Sequence, residues 1–434
     1  MPHLHRQETA FLAKSMTIHN HTREKLFQKI GTYVEDMIDL QISLTAIPAL
    51  APENQGNGEA EKADFLRSFL EGHNFPNLMF LHAPDERVPA GYRPNILIHH
   101  PGRDKSRTLW ILTHTDIVPP GELHLWHRNP YEGYVNDGCV FGRGTEDNQQ
   151  DLVASIFALK AFIDEDILPE ISVGLAFVAD EETSSRMGVD YILNHKDNPF
   201  RKEDLIVIPD FGSSDGSSIE IAEKSILWLK FTITGLQCHS SRPSLGRNAF
   251  LASSHLVMEL QKLHNFFPRR DRLFSPPEST FQPTKKEGNT SSINTIPGED
   301  TFYMDCRVLP RYDLKEVIGE IHRRMDVTEK LYGVTVKVSP VQEVQAPPPT
   351  PQNAPIVYAL KKAIRDVYRL KGKTVGVGAG TVAAVFRKYG YNVAAWSKLG
   401  HQAHQPNESC LIENMVGNAK VFAHMMLQKR IPHC

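Results

Sequence analysis

Apolar residues recur at helical spacing over 23–46, through Leu26, Ile30, Val34, Met37, Ile38 and Ile42. The Pro-, Gly- and Asn-rich stretch Pro48 to Gly58 then reads as a loop. A second helix is predicted over about Glu59 to Gly72, followed by short strands at Leu78 to Leu81 and Asn95 to His99. From there the period alternates. Thr108 to Thr113 reads as a buried strand, Gln149 to Ile163 as a helix, Ile171 to Ala179 as a strand, Gly188 to Leu193 as a helix and Leu205 to Pro209 as a strand. A β-α-β-α-β run of this kind predicts an α/β fold with a mostly parallel sheet flanked by helices, and ligands in such sheets bind beyond the carboxyl ends of the strands.

The pattern changes after Asp210. Ile226 to Thr234 alternates as an antiparallel strand does, a loop carries Cys238, His239 and Ser240, and Asn248 to His264 has helical spacing. Strands at Ser292 to Thr295 and Thr301 to Val308, a helix from Leu314 to Met325 and a strand at Val334 to Val341 complete a β-α-β-β-α-β order, which predicts a ferredoxin-like α+β domain. Gln345 to Gln352, with four prolines, reads as a stiff return linker. A helix at Pro355 to Leu370, a glycine-rich turn, a strand at Val393 to Ala395 and a helix at about Leu411 to Leu427 return the chain to the first domain. The expected organisation is therefore a first domain made of 17–223 and 344–434, with 224–343 inserted.

Composition narrows the function classes. A chain of 434 residues, 41% hydrophobic and 23% charged, can bury two cores. The net charge of -3 and the lack of a Lys/Arg run with interleaved aromatics argue against a nucleic-acid partner. The longest apolar runs are too short to span a bilayer, and Met1 to His21 lacks the apolar core of a signal peptide, so the expected location is the cytoplasm and no membrane partner is expected. Cys139, Cys238, Cys306, Cys410 and Cys434 show no C-x-x-C spacing, which argues against both a disulfide framework and a thiolate metal site. Residues before about Thr17 read as a loose tail, with Met16 an alternative start to Met1.

The candidate chemistry stands at the predicted strand ends. His114 and Asp116 follow the first strand of the alternating run, Asp180, Glu181 and Glu182 the second, and Asp210 the third. One acidic residue after a strand is commonly a cap or a solvated loop charge, but three successive ends carrying His, Asp and Glu point to a metal site. Asp147 ends the turn F-G-R-G-T-E-D, which Gly142 and Gly144 free to fold tightly, and opens the following helix. Alone it would read as a capping aspartate. The turn at Gly376, Gly378 and Gly380 lacks both the full dinucleotide spacing and a P-loop lysine, so it reads as a substrate-lining or packing turn.

Taken in order, H-T-D at His114 to Asp116, W-H-R-N-P-Y-E-G at Trp126 to Gly133, G-R-G-T-E-D at Gly142 to Asp147, D-E-E at Asp180 to Glu182 and H-Q-P-N-E at His404 to Glu408 resemble the family of cocatalytic metallopeptidases and deacylases. That family includes acetylornithine deacetylase, succinyl-diaminopimelate desuccinylase, aminoacylase, carboxypeptidase G and several di- and tripeptidases. The resemblance implies a zinc-peptidase-like catalytic domain with an inserted lid and dimerisation domain. It also implies that Asp147 bridges two divalent metal ions, with Glu182 and His404 completing one site and His114 and Asp210 the other. The expected metal is zinc, with cobalt or manganese as substitutes, since imidazole and carboxylate suit all three. A shared carboxylate holds two cations roughly 3.5 to 4 Å apart.

By the same resemblance Glu181 is the general base and Asp116 orients the His114 imidazole. His239 reaches the active site of a partner subunit to steady the oxyanion, and Asn294 and Arg307 hold a substrate carboxylate. His401 competes with His404 as ligand, and the Q-P-N-E that follows favours His404. Gln149 and Gln150 stand where many members have Lys-Gly, and Asn129 where aspartate is common. Asp210 matches several di- and tripeptidases, whereas the deacylase branches usually have glutamate. The expected activity is a two-metal amidohydrolase acting on a small carboxylate-bearing substrate, either an N-acyl amino acid or a di- or tripeptide, in a cytoplasmic homodimer. A catalytically inactive metal- or peptide-binding protein is the alternative from another class.

Overall fold

The computed structural model describes residues 20–429. The tail before Thr17, the choice between Met1 and Met16, and Cys434 lie outside the described residues. The chain forms two compact units, the first from Met1–Ile221, Thr350–Thr374 and Tyr389–Cys434 and the second from Ala222–Pro349 and Val375–Lys388.

In the first unit a large sheet includes, in order, the strands Leu78–Pro84, Tyr92–His100, Ile171–Val178, Asp104–His114, Leu205–Ser213 and Val393–Lys398. Its centre is parallel: Asp104–His114 pairs parallel with both Ile171–Val178 and Leu205–Ser213, and Val393–Lys398 pairs parallel with Leu205–Ser213. Strands covered on both faces read as continuous apolar runs, and every residue of Ile171–Val178 is buried. Gln150–Asp164 packs against two of these strands and against Ile412–Met426. It is buried nearly all round, so its apolar residues exceed a single stripe. The helix expected over 23–46 is two helices, 20–31 and Val34–Thr45, separated by a turn that follows Gly31. Among the described residues no helix is long and apolar enough to cross a membrane.

The second unit has a four-stranded antiparallel sheet ordered Thr280–Lys286, Glu299–Val308, Ser225–Thr234, Thr335–Val344. With the helices Ala249–Gln261 and Leu314–Tyr332 this is the ferredoxin-like β-α-β-β-α-β arrangement. Its core includes Phe231 stacked on Phe302 and the helix residues Leu256, Leu260, Val317 and Ile321. The second strand differs from the expectation. Ser292 to Thr295 does not enter this sheet; Thr295–Ile296 pairs instead with Cys238–His239 in a two-stranded ribbon. The strand that does enter, Thr280–Lys286, is broken by a bulge after Pro283 and is lysine-rich and mostly exposed, a typical protected edge whose sequence carries little alternation.

Val375–Lys388, expected within the returning part of the first domain, belongs to the second unit. The reason is local. Gly376 donates its N–H to Leu273 O at 2.7 Å, and a Cβ at Gly376 would stand 2.4 Å from the Phe274 ring, so the glycine turn is a packing turn.

Candidate metal centre

In the first unit His114 is the last residue of its strand and is 2% exposed. Asp210, expected just after a strand, lies inside Leu205–Ser213, because Val393–Lys398 continues to pair beyond a bulge as far as Lys398 opposite Ser213. Asp147 is not a helix cap. The helix starts at Gln150 with Gln149 before it, and Asp147 sits in the preceding turn with a non-helical φ of -114° and ψ of 89°. Gly144, at φ +86°, makes that turn in a conformation few side chains tolerate.

The Asp147 carboxylate is thereby free to face two imidazoles. Its Oδ1 lies 3.1 Å from His114 Nε2 and its Oδ2 lies 3.1 Å from His404 Nε2. His114 Nε2 is also 3.7 Å from Asp210 Oδ1, and His404 Nε2 is 3.2 Å from Glu182 Oε2. Two groups result, His114/Asp147/Asp210 and Asp147/Glu182/His404, each with its ligand atoms within 4.8 Å of one another. The structure thus brings all five sequence-derived ligand candidates together, and it is His404, not His401, that takes part.

Neighbouring groups fix these side chains. His114 Nδ1 is 3.0 Å from the main-chain O of Asp116 and 3.5 Å from its carboxylate. The carboxylate accepts instead from the backbone N–H groups of Glu181 (3.1 Å) and Glu182 (3.0 Å), so Asp116 holds the acidic loop as well as the imidazole. Asn148 donates to Pro209 O and to Asp210 Oδ1. Behind the loop a buried Arg93 is paired with Glu59 and lies 3.8 Å from Asp180 and 3.7 Å from Asp85. Glu59 also accepts from the Asp180 N–H. Sequence reasoning missed this buried network, since nothing in a single sequence pairs residues 34 positions apart.

The electrostatics describe a site with too much negative charge. Burial and then the nearby Asp210 push Glu181 well above the usual carboxylate range. Burial and then Asp147 push Glu182 up to about 7. Burial opposes protonation of His114, yet the nearby carboxylates of Asp116, Asp147 and Asp210 outweigh it and raise the imidazole well above its ordinary value. Bonds to Asp147 and Glu182 raise His404 to about 10.

Divalent cations fit these residues. Each group combines imidazole nitrogen with carboxylate oxygen, and Glu182 Oε1 is buried with no hydrogen-bond partner among the described residues. The 3.1 to 3.7 Å nitrogen–oxygen separations bracket the edge of about 3.3 Å that a tetrahedron with metal–ligand bonds of about 2.0 Å requires.

The other three candidates are on the second unit. The ribbon places His239 opposite Thr295, with the adjacent Ser240 N–H donating to Asn294 O at 2.8 Å. The exposed His239 ring lies 2.8 Å from Ser241 Oγ. Arg307 binds the Asp305 carboxylate through two nitrogens and donates to Gly378 O.

Residues 110–428 match Peptidase family M20/M25/M40. The chain belongs to that family. As an M20/M25/M40 member it is a metal-dependent hydrolase of amide or peptide C–N bonds. It is 39% identical over 411 residues to an uncharacterised metallohydrolase of Methanocaldococcus jannaschii, covering 91% of this chain and 99% of that one. It is 22% identical over 332 residues to a succinyl-diaminopimelate desuccinylase of Coxiella burnetii, covering 76% and 86%. Among solved structures, the dipeptidase Dug1p of Saccharomyces cerevisiae superposes with a TM-score of 0.67 at 17% identity, covering 94% of this chain and 98% of that one. That likeness is one of fold.

Proposed function

We propose that this M20/M25/M40 enzyme uses two divalent cations, zinc before cobalt or manganese, to cleave the amide bond of a small carboxylate-bearing N-acyl amino acid. The observation that carries the reading is the Asp147 carboxylate, with one oxygen 3.1 Å from His114 and the other 3.1 Å from His404. In this reading His114 and Asp210 would hold one ion, Glu182 and His404 the other, and Asp147 would serve both. Bound cations acidify a water and polarise a carbonyl. Glu181 takes a proton from the attacking water as its oxygen bonds the carbonyl carbon, and delivers that proton to the nitrogen as the C–N bond breaks. Asp116 keeps Glu181 and Glu182 in place through their N–H groups. By the family resemblance, His239 would donate to the developing oxyanion in the active site of a partner subunit, and Asn294 and Arg307 would receive the substrate carboxylate.

A di- or tripeptide is the second substrate reading, favoured by aspartate at position 210, where the resemblance links glutamate to the deacylases. A panel of N-acetyl and N-succinyl amino acids and unmodified dipeptides separates the two. Metal-stripped enzyme should be inactive and regain turnover with zinc, cobalt or manganese, preferentially on the N-acyl half. Preference for dipeptides would replace the deacylase reading, and metal-independent turnover would remove the metal mechanism.

We read the enzyme as a cytoplasmic homodimer formed through the second unit. Phe250, Leu251 and Met258 on Ala249–Gln261 and Val327 and Leu331 on Leu314–Tyr332 are exposed apolar residues, which mark association surfaces when they cluster. Cys139, Cys238, Cys306 and Cys410 are free thiols, in keeping with a reducing compartment. Light scattering should give twice the chain mass, and a fully active monomer would remove any role of a partner's histidine.

A further inference from the structure

We infer that Glu146 and Glu408 are reciprocal positioning residues that lock together the two loops carrying Asp147 and His404, and that Glu146 in particular builds the Asp147/Glu182/His404 group. The inference rests on the metal-site reading above and goes beyond it in assigning residues that are not ligands.

The two carboxylates cross. Glu408, fully buried and four residues after His404, reaches the Asp147 turn, where its Oε2 accepts from Arg143 Nη1 (2.5 Å) and the Gly144 N–H (3.0 Å). Its Oε1 accepts from the N–H groups of Glu146 and Asp147, both at 3.0 Å. Glu146, adjacent to Asp147 and 2% exposed, reaches back to the His404 loop and accepts from the N–H groups of Gly400, Gln402 and Ala403. Each loop thus supplies the acceptor that satisfies the other's backbone donors.

The His404 loop needs such an anchor. His401, His404 and Asn407 all have φ near +60°, a left-handed conformation that is unfavourable for a non-glycine residue. The His404 side chain is 54% exposed, so packing fixes it less than it fixes the buried His114. Converging backbone donors can bind a carboxylate strongly, because every lone pair faced by an N–H is used. An amide in its place presents an NH₂ to at least one of those donors and must turn away.

The test measures zinc binding by titration calorimetry on metal-stripped, full-length wild type, Glu146→Gln, His404→Ala and the double variant. Wild type should bind two ions. Glu146→Gln should keep one tight ion and bind the second about 10- to 100-fold more weakly, the range for loss of a group that orients a ligand. In the His404→Ala background the same exchange should add nothing, since the two changes act on one loop. Gly400→Ala provides an independent variant that keeps the charge, because its Cβ would stand 3.0 Å from Glu146 Oε1 and push the carboxylate back by a few tenths of an ångström from its N–H donors. It should show the same selective loss. Two equally tight ions in Glu146→Gln or in Gly400→Ala, or an undiminished effect of Glu146→Gln without His404, would overturn the coupling alone. Wild type that takes up no zinc would overturn the metal-site reading and this inference together.

Discussion

Exchanging Glu181 for glutamine should lower kcat by about 10²- to 10⁴-fold while both ions stay bound, the span expected when a general base is removed from an otherwise intact site. That is roughly 3 to 5 kcal/mol of transition-state stabilisation. Glutamine has nearly the same shape, and one contact that positions residue 181, its N–H to Asp116 Oδ1 at 3.1 Å, belongs to the backbone and survives the exchange. What is lost is the ability to accept a proton. Burial and the neighbouring Asp210 make Glu181 unusually basic for a carboxylate in the ion-free protein, and nearby cations would draw it back toward the ordinary range. The measurement is single-turnover hydrolysis alongside metal content. An unchanged kcat would place the base elsewhere. Loss of metal together with activity would make Glu181 a ligand instead. Wild type that binds two ions and turns over no member of the panel would point to a narrower amide substrate than the panel holds.

Part of the candidate ligand set is legible because strand ends are legible. A buried parallel strand announces itself as an apolar run, so His114 and the Asp180–Glu182 loop could be placed at the ends of Asp104–His114 and Ile171–Val178 from period alone. Asp147 and His404 needed the motif resemblance, since each lies in an irregular loop without periodicity. The loops' supports were hidden for a different reason. Glu408 acts on Gly144, 264 positions away, and Arg93 acts on Glu59 from another element, and a buried charge has the same sequence signature as a solvated one until its partner is known. The edge strand Thr280–Lys286 was missed because the features that protect an edge, a proline, a bulge and lysines, also erase the alternation by which strands are recognised. Val375–Lys388 shows the same limit, for Gly376 is required by contact with Phe274.

The second large effect is expected from Asp147→Ala, which should abolish measurable binding of both ions and reduce turnover to background. Asp147 is the one residue common to the two ligand groups, and without it each keeps a single imidazole and a single carboxylate, too few to hold a divalent ion against water. Asp147→Asn should be milder, retaining one ion through its remaining oxygen. The exchange also alters the proton balance of the ion-free protein. Asp147 and then Glu182 raise His404 to about 10, above its ordinary 6.5, so this pairing stabilises the ion-free fold fully below pH 6.5 and the contribution is lost as pH rises through about 10. A cation has to displace that proton, so wild-type zinc affinity should climb with pH across the same window. Without Asp147 the imidazole loses its first partner, and its titration, followed by NMR in the ion-free protein, should move down toward 6.5. Elemental analysis finding two ions in Asp147→Ala, or a His404 titration unmoved by the exchange, would show that the carboxylate does not join the two groups.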